Sequence, residues 1–559
     1  MQENKGPLTA LPIDFETEPQ LRLRQSILLT FISALLLILC YEPFNFYWLA
    51  WIAFTPFIFA VRARKDKAVF RLGTFLGFVF LLGSLFWLRT IHFSVPFLLA
   101  ALWSPLWGFW AWITKKMWFY LCIPKVETSI ADARNSDFAM PWKKYLILIF
   151  ASSSIWIFFE WLRFWLMSGF PWNLLGISQA YCSAVLPMAS IFGVLGISFL
   201  IIFTNLSISF LIESFSLNKK FLWQLLILPA IFLSVPPLIA SLPRDQMSAP
   251  LTMKILLVQG YFYPITDRKA TEADYLEQIQ TYRNLSFKHA ADKPDLIIWP
   301  ETAVISSYAD DPFFQKAVKD VARICQSKVL FGSIHHENKR KTNSAFLVDK
   351  NAQLLNRYDK IHLVPYGEYT PMKELLPSSV WNWLDKIVDM GNLDPGTSYD
   401  VIQLSKQFRA GVNICFEDVF PKNSREYTRS GANLLITLTN DSWYKKTAGA
   451  AQHTAHAIFR AVENDLPLVR CGTSSESCYI SPQGKITELI VDEKGSRFTR
   501  GTQLLNLSIN TSRQSTFYYR NPNLFVIISS GIAFLAFLAT ALHFLKRKSR
   551  LREIISGRD

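Results

Sequence analysis

Paired cysteines are missing from this sequence. Its seven cysteines, at positions 40, 122, 182, 325, 415, 471 and 478, include no C-x-x-C and no other paired-ligand spacing, so no cysteine-based metal motif can be read from it. Charge is scarce as well, at 18% of residues, and residues 167–186 carry none. Internal repeats and low-complexity tracts are absent. No small-residue cleavage site follows the first long apolar run, and a second run comes directly after it, which argues against a cleaved signal peptide. His453 and His456 stand at H-x-x-H spacing, but no third ligand is visible beside them. They read as one face of a helix, and no metal is expected.

What is present is apolar and unevenly spread. Of 559 residues, 51% are hydrophobic and 15% aromatic, with 18 Trp. That length suggests two or three units. A hydrocarbon core of ~30 Å needs ~20 apolar residues in a helix. Candidate spans lie at roughly 25–41, 45–61, 70–90, 95–113, 145–166, 187–213, 221–240 and 523–545, eight in all.

The net charge of +15 follows these spans. Arg62, Arg64, Lys65, Lys67 and Arg71 lie between the second and third, and Lys115, Lys116, Lys125, Arg134, Lys143 and Lys144 between the fourth and fifth. Lys219 and Lys220 separate the sixth and seventh, and "KRKSRLR" follows the eighth. This alternation is what the positive-inside rule asks for, with both termini cytoplasmic. The excess charge therefore reads as topology, and nucleic-acid binding gets little support. The expected organisation is a membrane base at 1–240, an outer domain at 251–520, a last span at 523–545 and a basic cytoplasmic tail at 546–559. In a bacterial cell the outer domain then faces the periplasm from the inner membrane, where there is no ATP supply.

In the outer domain, strand-like runs alternate with helical spacing. "LTMKILLVQG", "PDLIIWPET", "KVLFGSI", "FRAGVNICFE" and "GANLLITLTND" read as strands, and 270–290, 312–326 and "AGAAQHTAHAIFRAVEND" as helices. "NSAFLVDKNAQLLNRYDK" and "CYISPQGKITELI" read as hairpins. This is an α/β layered pattern. Several strands end in a polar residue: Glu301 after "LIIWP", Cys415 after "GVNI", Asn440 and Asp441 after "LLITLT". Sites in open α/β sheets gather at strand ends. A thiol there, a carboxylate to take its proton and a lysine beside the developing oxyanion would form a thioester from an acyl donor without cofactor.

"IIWPET", "YDKIHLVPYGEYTP", "GVNICFED" and "ITLTNDSWY…QHTAHAIFRAVEN" together resemble the nitrilase, or carbon–nitrogen hydrolase, superfamily. On the eight-span frame they resemble its apolipoprotein N-acyltransferase family. The resemblance implies an α-β-β-α sandwich on a multi-span helical membrane base, acting as a monomer. It implies ping-pong transfer from a phosphatidylethanolamine-like phospholipid to a diacylated apolipoprotein, with no nucleic acid involved. Cys415 would be the nucleophile, Glu301 the base and Lys360 the oxyanion partner, with Glu368 and Glu417 as supporting carboxylates.

Each role has a competitor. Glu301 could cap the next element, Lys360 could be a surface lysine, and Glu368 and Glu417 could only orient the site. Trp299, Phe416 and Trp443 are candidates for lining an acyl pocket, with packing as the alternative. Arg89, Glu160 and Arg163 sit inside or at the ends of spans, where charge is costly and often functional. Cys471 and Cys478 read as separate buried thiols in preference to a disulfide. Two features depart from the family pattern: Phe416 stands where tyrosine is usual, and "RCGTSSESCY" where a loop rich in Asn and Gly is usual. The competing activity is a membrane-tethered amidase using water as acceptor. A catalytically silent lipoprotein-binding scaffold is the competitor of a different kind.

Overall fold

Alternation along one strand builds the layers of the outer domain. In Leu251–Gln259, Met253, Ile255 and Leu257 enter one buried core while Leu256 and Val258 enter another, as the two-residue side-chain period requires. The chain is seen here in a computed structural model that describes residues 21–62, 64–122, 142–216, 251–262, 270–371, 392–509 and 515–556, with short pieces between 224 and 234 and at 377–379.

The strands are β1 (Leu251–Gln259), β2 (Leu296–Ile298), β3 (Lys328–Glu337), β4 (Arg340–Val348), β5 (Leu354–Asp359), β6 (Ile402–Gln403), β7 (Arg409–Ile414), β8 (Leu434–Asn440), β9 (Leu468–Thr473), β10 (Cys478–Ile480), β11 (Ile486–Thr487) and β12 (Gly501–Ile509). They form two six-stranded sheets, ordered β12-β1-β2-β3-β4-β5 and β11-β10-β9-β8-β7-β6. The centre of each is parallel, β1-β2-β3 in one and β7-β8-β9 in the other. Between the sheets, Ile255, Leu257, Ile298 and Leu330 share a core with Val412, Ile436 and Leu438. Helices Glu272–Phe287 and Pro312–Cys325 cover the outer face of the first sheet through Ile279, Tyr282, Phe314 and Val318. Helices Pro421–Arg429 and Gly449–Asn464 lie on the second. The expected α-β-β-α sandwich is thus present.

Two elements go beyond the sequence expectation. β3 and β4 form a hairpin whose turn, Asn338–Lys339, has positive φ at both residues, 47° and 67°, the twist that suits a two-residue connection. β12 closes the first sheet by pairing antiparallel with β1 over its whole length.

Among the described residues, five helices of the base and last span are long and apolar enough to cross a membrane: Asp66–Ser84, Val95–Phe119, Trp142–Leu162, Leu186–Glu213 and Leu524–Leu542. Leu23–Leu39 is a shorter apolar helix, and the expected 45–61 span divides into a short 3-10 turn, Tyr47–Trp51, and a helix, Thr55–Val61. The expected 221–240 span lies mostly outside the described residues. Helices Asp66–Ser84 and Val95–Cys122 approach closely at Gly108, where a Cβ would stand 2.8 Å from the Phe70 carbonyl oxygen. Small residues permit such contact between membrane helices.

The charge-free stretch is not an exposed loop. Residues 171–180 are all buried, folded as turns that end the backbone's hydrogen bonding on fixed partners. Glu160 Oε1 accepts from the Leu175 N–H at 2.7 Å, Ser198 Oγ from the Gly176 N–H at 2.7 Å, and Arg163 donates to the Trp172 carbonyl. Glu160 and Arg163 therefore hold this segment. The Gly449–Asn464 helix lies against it and is buried along all of its 16 residues.

Candidate active site

Strand ends deliver the chemistry-bearing side chains. The chain turns at Pro300 just after β2 and presents Glu301; Gly332 on β3 makes room, since a Cβ there would stand 2.6 Å from the Glu301 Cα. Lys360 follows β5 directly, its N–H bonded to the Asn343 carbonyl on β4 at 2.8 Å. Cys415 follows β7 with φ 52°. A left-handed pose costs a non-glycine residue on the order of 1–3 kcal/mol, and such strain gathers at functional sites.

These groups meet in the interior, with Glu301, Lys360 and Cys415 only 5%, 1% and 8% exposed. Lys360 Nζ donates to Glu368 Oε1 at 2.9 Å and to Glu301 Oε1 at 3.3 Å. Asn343 Nδ2 donates to the same two oxygens, at 3.0 Å and 2.8 Å. Glu301 Oε2 accepts from the Asn440 N–H at 2.8 Å, which ties the β2 end to the β8 end. Glu368 Oε2 accepts from the Val364 N–H at 2.8 Å.

Charge balance sets the resting protonation. One lysine faces two carboxylates, and Glu368 and Glu301 hold the Lys360 ammonium charged against its burial. Burial raises the Glu301 carboxyl above its ordinary range, and the Glu368 charge raises it further while Lys360 opposes. Burial, then the Glu301 charge, pushes the Cys415 thiol well above its usual value, with Lys360 opposing. Cys415 therefore rests as a thiol beside a basic carboxylate.

Glu417 does not face this cluster with a free oxygen. Its Oε1 accepts from Tyr358 OH at 2.8 Å and from the N–H groups of Ile361 and His362 at 2.8 and 3.1 Å. Its Oε2 accepts from the Ile414 N–H at 2.8 Å. It ties the Lys360 segment to the Cys415 segment, and burial pushes its carboxyl up to about 7. Its geometry is that of an orienting group.

Behind Cys415 lies a charge network the sequence did not reveal. Arg470 donates to Asp418 at 2.7 Å and Asp441 at 3.0 Å. His453 meets Asp418 through Nε2 at 2.9 Å and Asp441 through Nδ1 at 2.9 Å, and the same Nε2 lies 3.2 Å from the Cys415 carbonyl oxygen. All four side chains are fully buried. Asp418 leads in raising the imidazole to about 9, against burial, so two anions face two cations. Arg470→Ala is expected to destabilise the protein by roughly 3–5 kcal/mol, the usual cost of orphaning a buried charge. Thermal unfolding of the purified protein measures it, and Arg470→Lys should recover part of the loss.

Cys415, Asp441 and His453 offer ligand atoms within 4.8 Å of one another, a group that does not include His456. Both imidazole nitrogens are nevertheless engaged with carboxylates, and a protonated ring has no lone pair for a metal. The donor set does not fit a metal ion in this state. His453 is also more than a helix-face residue, because it touches the Cys415 peptide.

The aromatic candidates separate. Trp299 does not reach the site: it is fully buried on the helix-covered face of the first sheet, stacked on Tyr282 at 5.3 Å, with its indole N–H donated to Ser286 Oγ at 3.1 Å. Phe416 lies beside Cys415 and stacks on Trp172 of the base at 6.2 Å and 14°. Trp443 is 49% exposed at the rim, its carbonyl accepting from Thr90 at 2.9 Å. In the departing loop, Ser475 donates to Asp441 and Glu476 pairs with Arg497. Cys471 and Cys478 are both free and buried. Cys478 pairs with Arg470 across β9 and β10, so alternation turns the two thiols to opposite faces.

Comparison with known proteins agrees in order and extent. Residues 33–207 match the apolipoprotein N-acyltransferase N-terminal domain, and residues 257–514 match the carbon-nitrogen hydrolase domain. The chain is 29% identical over 548 residues to the apolipoprotein N-acyltransferase of Geobacter metallireducens, covering 95% of this chain and 98% of that protein. It is 29% identical to that of Rickettsia typhi, over 76% of this chain and 82% of the relative. Apolipoprotein N-acyltransferase 1 of Treponema denticola is 26% identical, over 93% and 97%. With apolar membrane helices preceding a sandwich of this kind, the chain is a membrane protein that belongs to the apolipoprotein N-acyltransferase family of the carbon–nitrogen hydrolase superfamily.

Proposed function

We propose that this enzyme transfers a fatty acyl group from a phospholipid to the N-terminal amine of a diacylated apolipoprotein, through a thioester on Cys415. The observation that carries the reading is a buried thiol beside Glu301, Lys360 and Glu368, seated on the membrane base through the Phe416–Trp172 stack. Cys415 sulfur attacks the ester carbonyl of the lipid while its proton passes to Glu301. Lys360 stabilises the oxyanion. The ester C–O bond then breaks, Glu301 returns the proton to the departing lysophospholipid, and the thioester remains. In the second half the α-amine of the diacylated cysteine attacks, the C–S bond breaks, and the proton ends on the Cys415 thiol. Glu368 shares Lys360 with Glu301, and Glu417 fixes the two segments that carry Lys360 and Cys415.

The proposed arrangement places seven spans in residues 1–240, the catalytic domain at 251–520 on the periplasmic side of the bacterial inner membrane, an eighth span at 523–545 and a cytoplasmic tail at 546–559. The apolar helices and the alternation of Lys/Arg between them support it. Both substrates are membrane-anchored, so a site fixed at the lipid surface replaces a search through solution with an oriented encounter.

The test uses purified enzyme in two stages. Phospholipid alone should add the mass of one fatty acyl group to the peptide containing Cys415. A diacylated lipopeptide added next should gain that mass as the enzyme loses it. Free fatty acid with no acylated lipopeptide would instead favour the hydrolase reading, in which water is the acceptor. The match of residues 33–207 to an acyltransferase membrane domain argues against that reading.

A further inference from the structure

Two neighbouring side chains of the Gly449–Asn464 helix face different halves of the molecule. Gln452 is 2% exposed and makes five hydrogen bonds, all to the membrane base. Its Oε1 accepts from the indole N–H of Trp87 at 3.0 Å, that of Trp172 at 3.1 Å and Asn173 Nδ2 at 3.1 Å. Its Nε2 donates to the carbonyls of Glu42 at 2.9 Å and Ser84 at 3.1 Å. The partners come from three separate stretches of the base: the end of the first helix, the end of the Asp66–Ser84 helix and the buried 171–180 segment. The amide thereby uses all its hydrogen-bonding capacity.

His453 is the next residue. Its Nε2 lies 3.2 Å from the Cys415 carbonyl oxygen, and its ring is locked between Asp418 and Asp441. Trp172, one of the Gln452 partners, also packs on the His453 ring at 5.3 Å and on Phe416. The Cys415 backbone, at φ 52°, needs surroundings that over-determine it. Apolar packing alone would let the helix slide or rotate, whereas five directional bonds on one side chain fix both.

We infer that Gln452 and His453 are positioning residues for the acyl transfer: the membrane base sets the geometry of the Cys415 nucleophile through this helix. The inference rests on Cys415 being the acyl carrier. It makes the base part of the catalytic device as well as an anchor. A misplacement of ~1 Å at a reacting group can cost ~100-fold in rate, so loss of the Gln452 contacts should appear in the acylation step.

The test uses the full-length protein in lipid-containing micelles, with phosphatidylethanolamine as donor. Single-turnover acylation of Cys415, followed by intact mass across lipid concentrations, separates the maximal rate from the half-saturating concentration. Gln452→Ala and Gln452→Glu, the latter keeping the acceptor and losing the two donors, should lower the maximal rate by roughly 10–100-fold. The half-saturating concentration should stay unchanged. Trp172→Phe, which removes one of the five bonds, should show a smaller loss of the same kind. Folded Gln452 variants that acylate at the wild-type maximal rate, or that change only the half-saturating concentration, would overturn the inference. If Gln452→Ala does not fold, Gln452→Glu and Trp172→Phe decide it by the same readout. A wild-type protein that gains no acyl group would fail the functional reading itself, a result distinct from either.

Discussion

Cys415→Ala enzyme is expected to gain no acyl mass from phospholipid and to lose transfer activity by on the order of 10^6, the scale of removing an essential nucleophile. Several observations make the effect large. The Cys415 thiol lies beside Lys360, which is bonded to the carboxylates of Glu301 and Glu368. The other thiols of the outer domain, Cys325, Cys471 and Cys478, are buried and burial raises each of them. Cys471 Sγ, for example, sits against the carbonyls of Val258 and Ile298, at the heart of the first sheet. None of them adjoins the Glu301–Lys360–Glu368 cluster. Alanine keeps the Cβ, so the backbone at Cys415 carries no new strain and the fold should survive. Intact-mass measurement with phospholipid checks the first half, and loss of complementation in cells checks the whole. An undiminished Cys415→Ala strain would refute the transferase reading.

Glu301→Gln should lower the rate of Cys415 acylation by roughly 10²–10⁴, the range for removing a general base. The replacement is nearly isosteric and can still accept from the Asn440 N–H. It also leaves Glu368 as the partner of Lys360. The accompanying change lies in the pH profile. Glu301 acts as a base only when ionised, and burial with the Glu368 charge raises its pKa. Wild-type acylation should therefore climb with pH through a value above the ordinary carboxylate ~4.3. Glu301→Gln should flatten that climb as well as lower the rate. A variant retaining both rate and limb would remove Glu301 from the role.

Much of this site was legible because its residues sit at the ends of apolar strands. Glu301, Cys415 and Asn440 each follow a run whose alternation announces a strand, and the polar residue marks its end. Of the two alternatives open for Trp299, packing is the one found, and a signal for it existed. Leu296 and Ile298 enter the inter-sheet core, so Ile297 and Trp299 must turn toward the helices, where the structure puts them. Asn343, Asp418, Asp441, His453 and Arg470 were not legible as a group. They come from separate strands, turns and a helix, and only the stacking of two sheets brings them together. The burial of the 171–180 segment was not legible either. Absence of charge reads as an outer loop on the positive-inside rule, but it equally suits a segment enclosed between two layers.

That segment has a consequence for how the molecule is made. Its cover, the Gly449–Asn464 helix, begins about 270 residues later in the chain. At ~5–20 residues per second the delay is on the order of tens of seconds. Through that interval Trp172 and Asn173 are made before the Gln452 amide that receives their N–H groups. Assembly therefore closes from the carboxyl-terminal half backwards, and a ribosome stalled before residue 449 would leave a membrane protein inserted but unfinished.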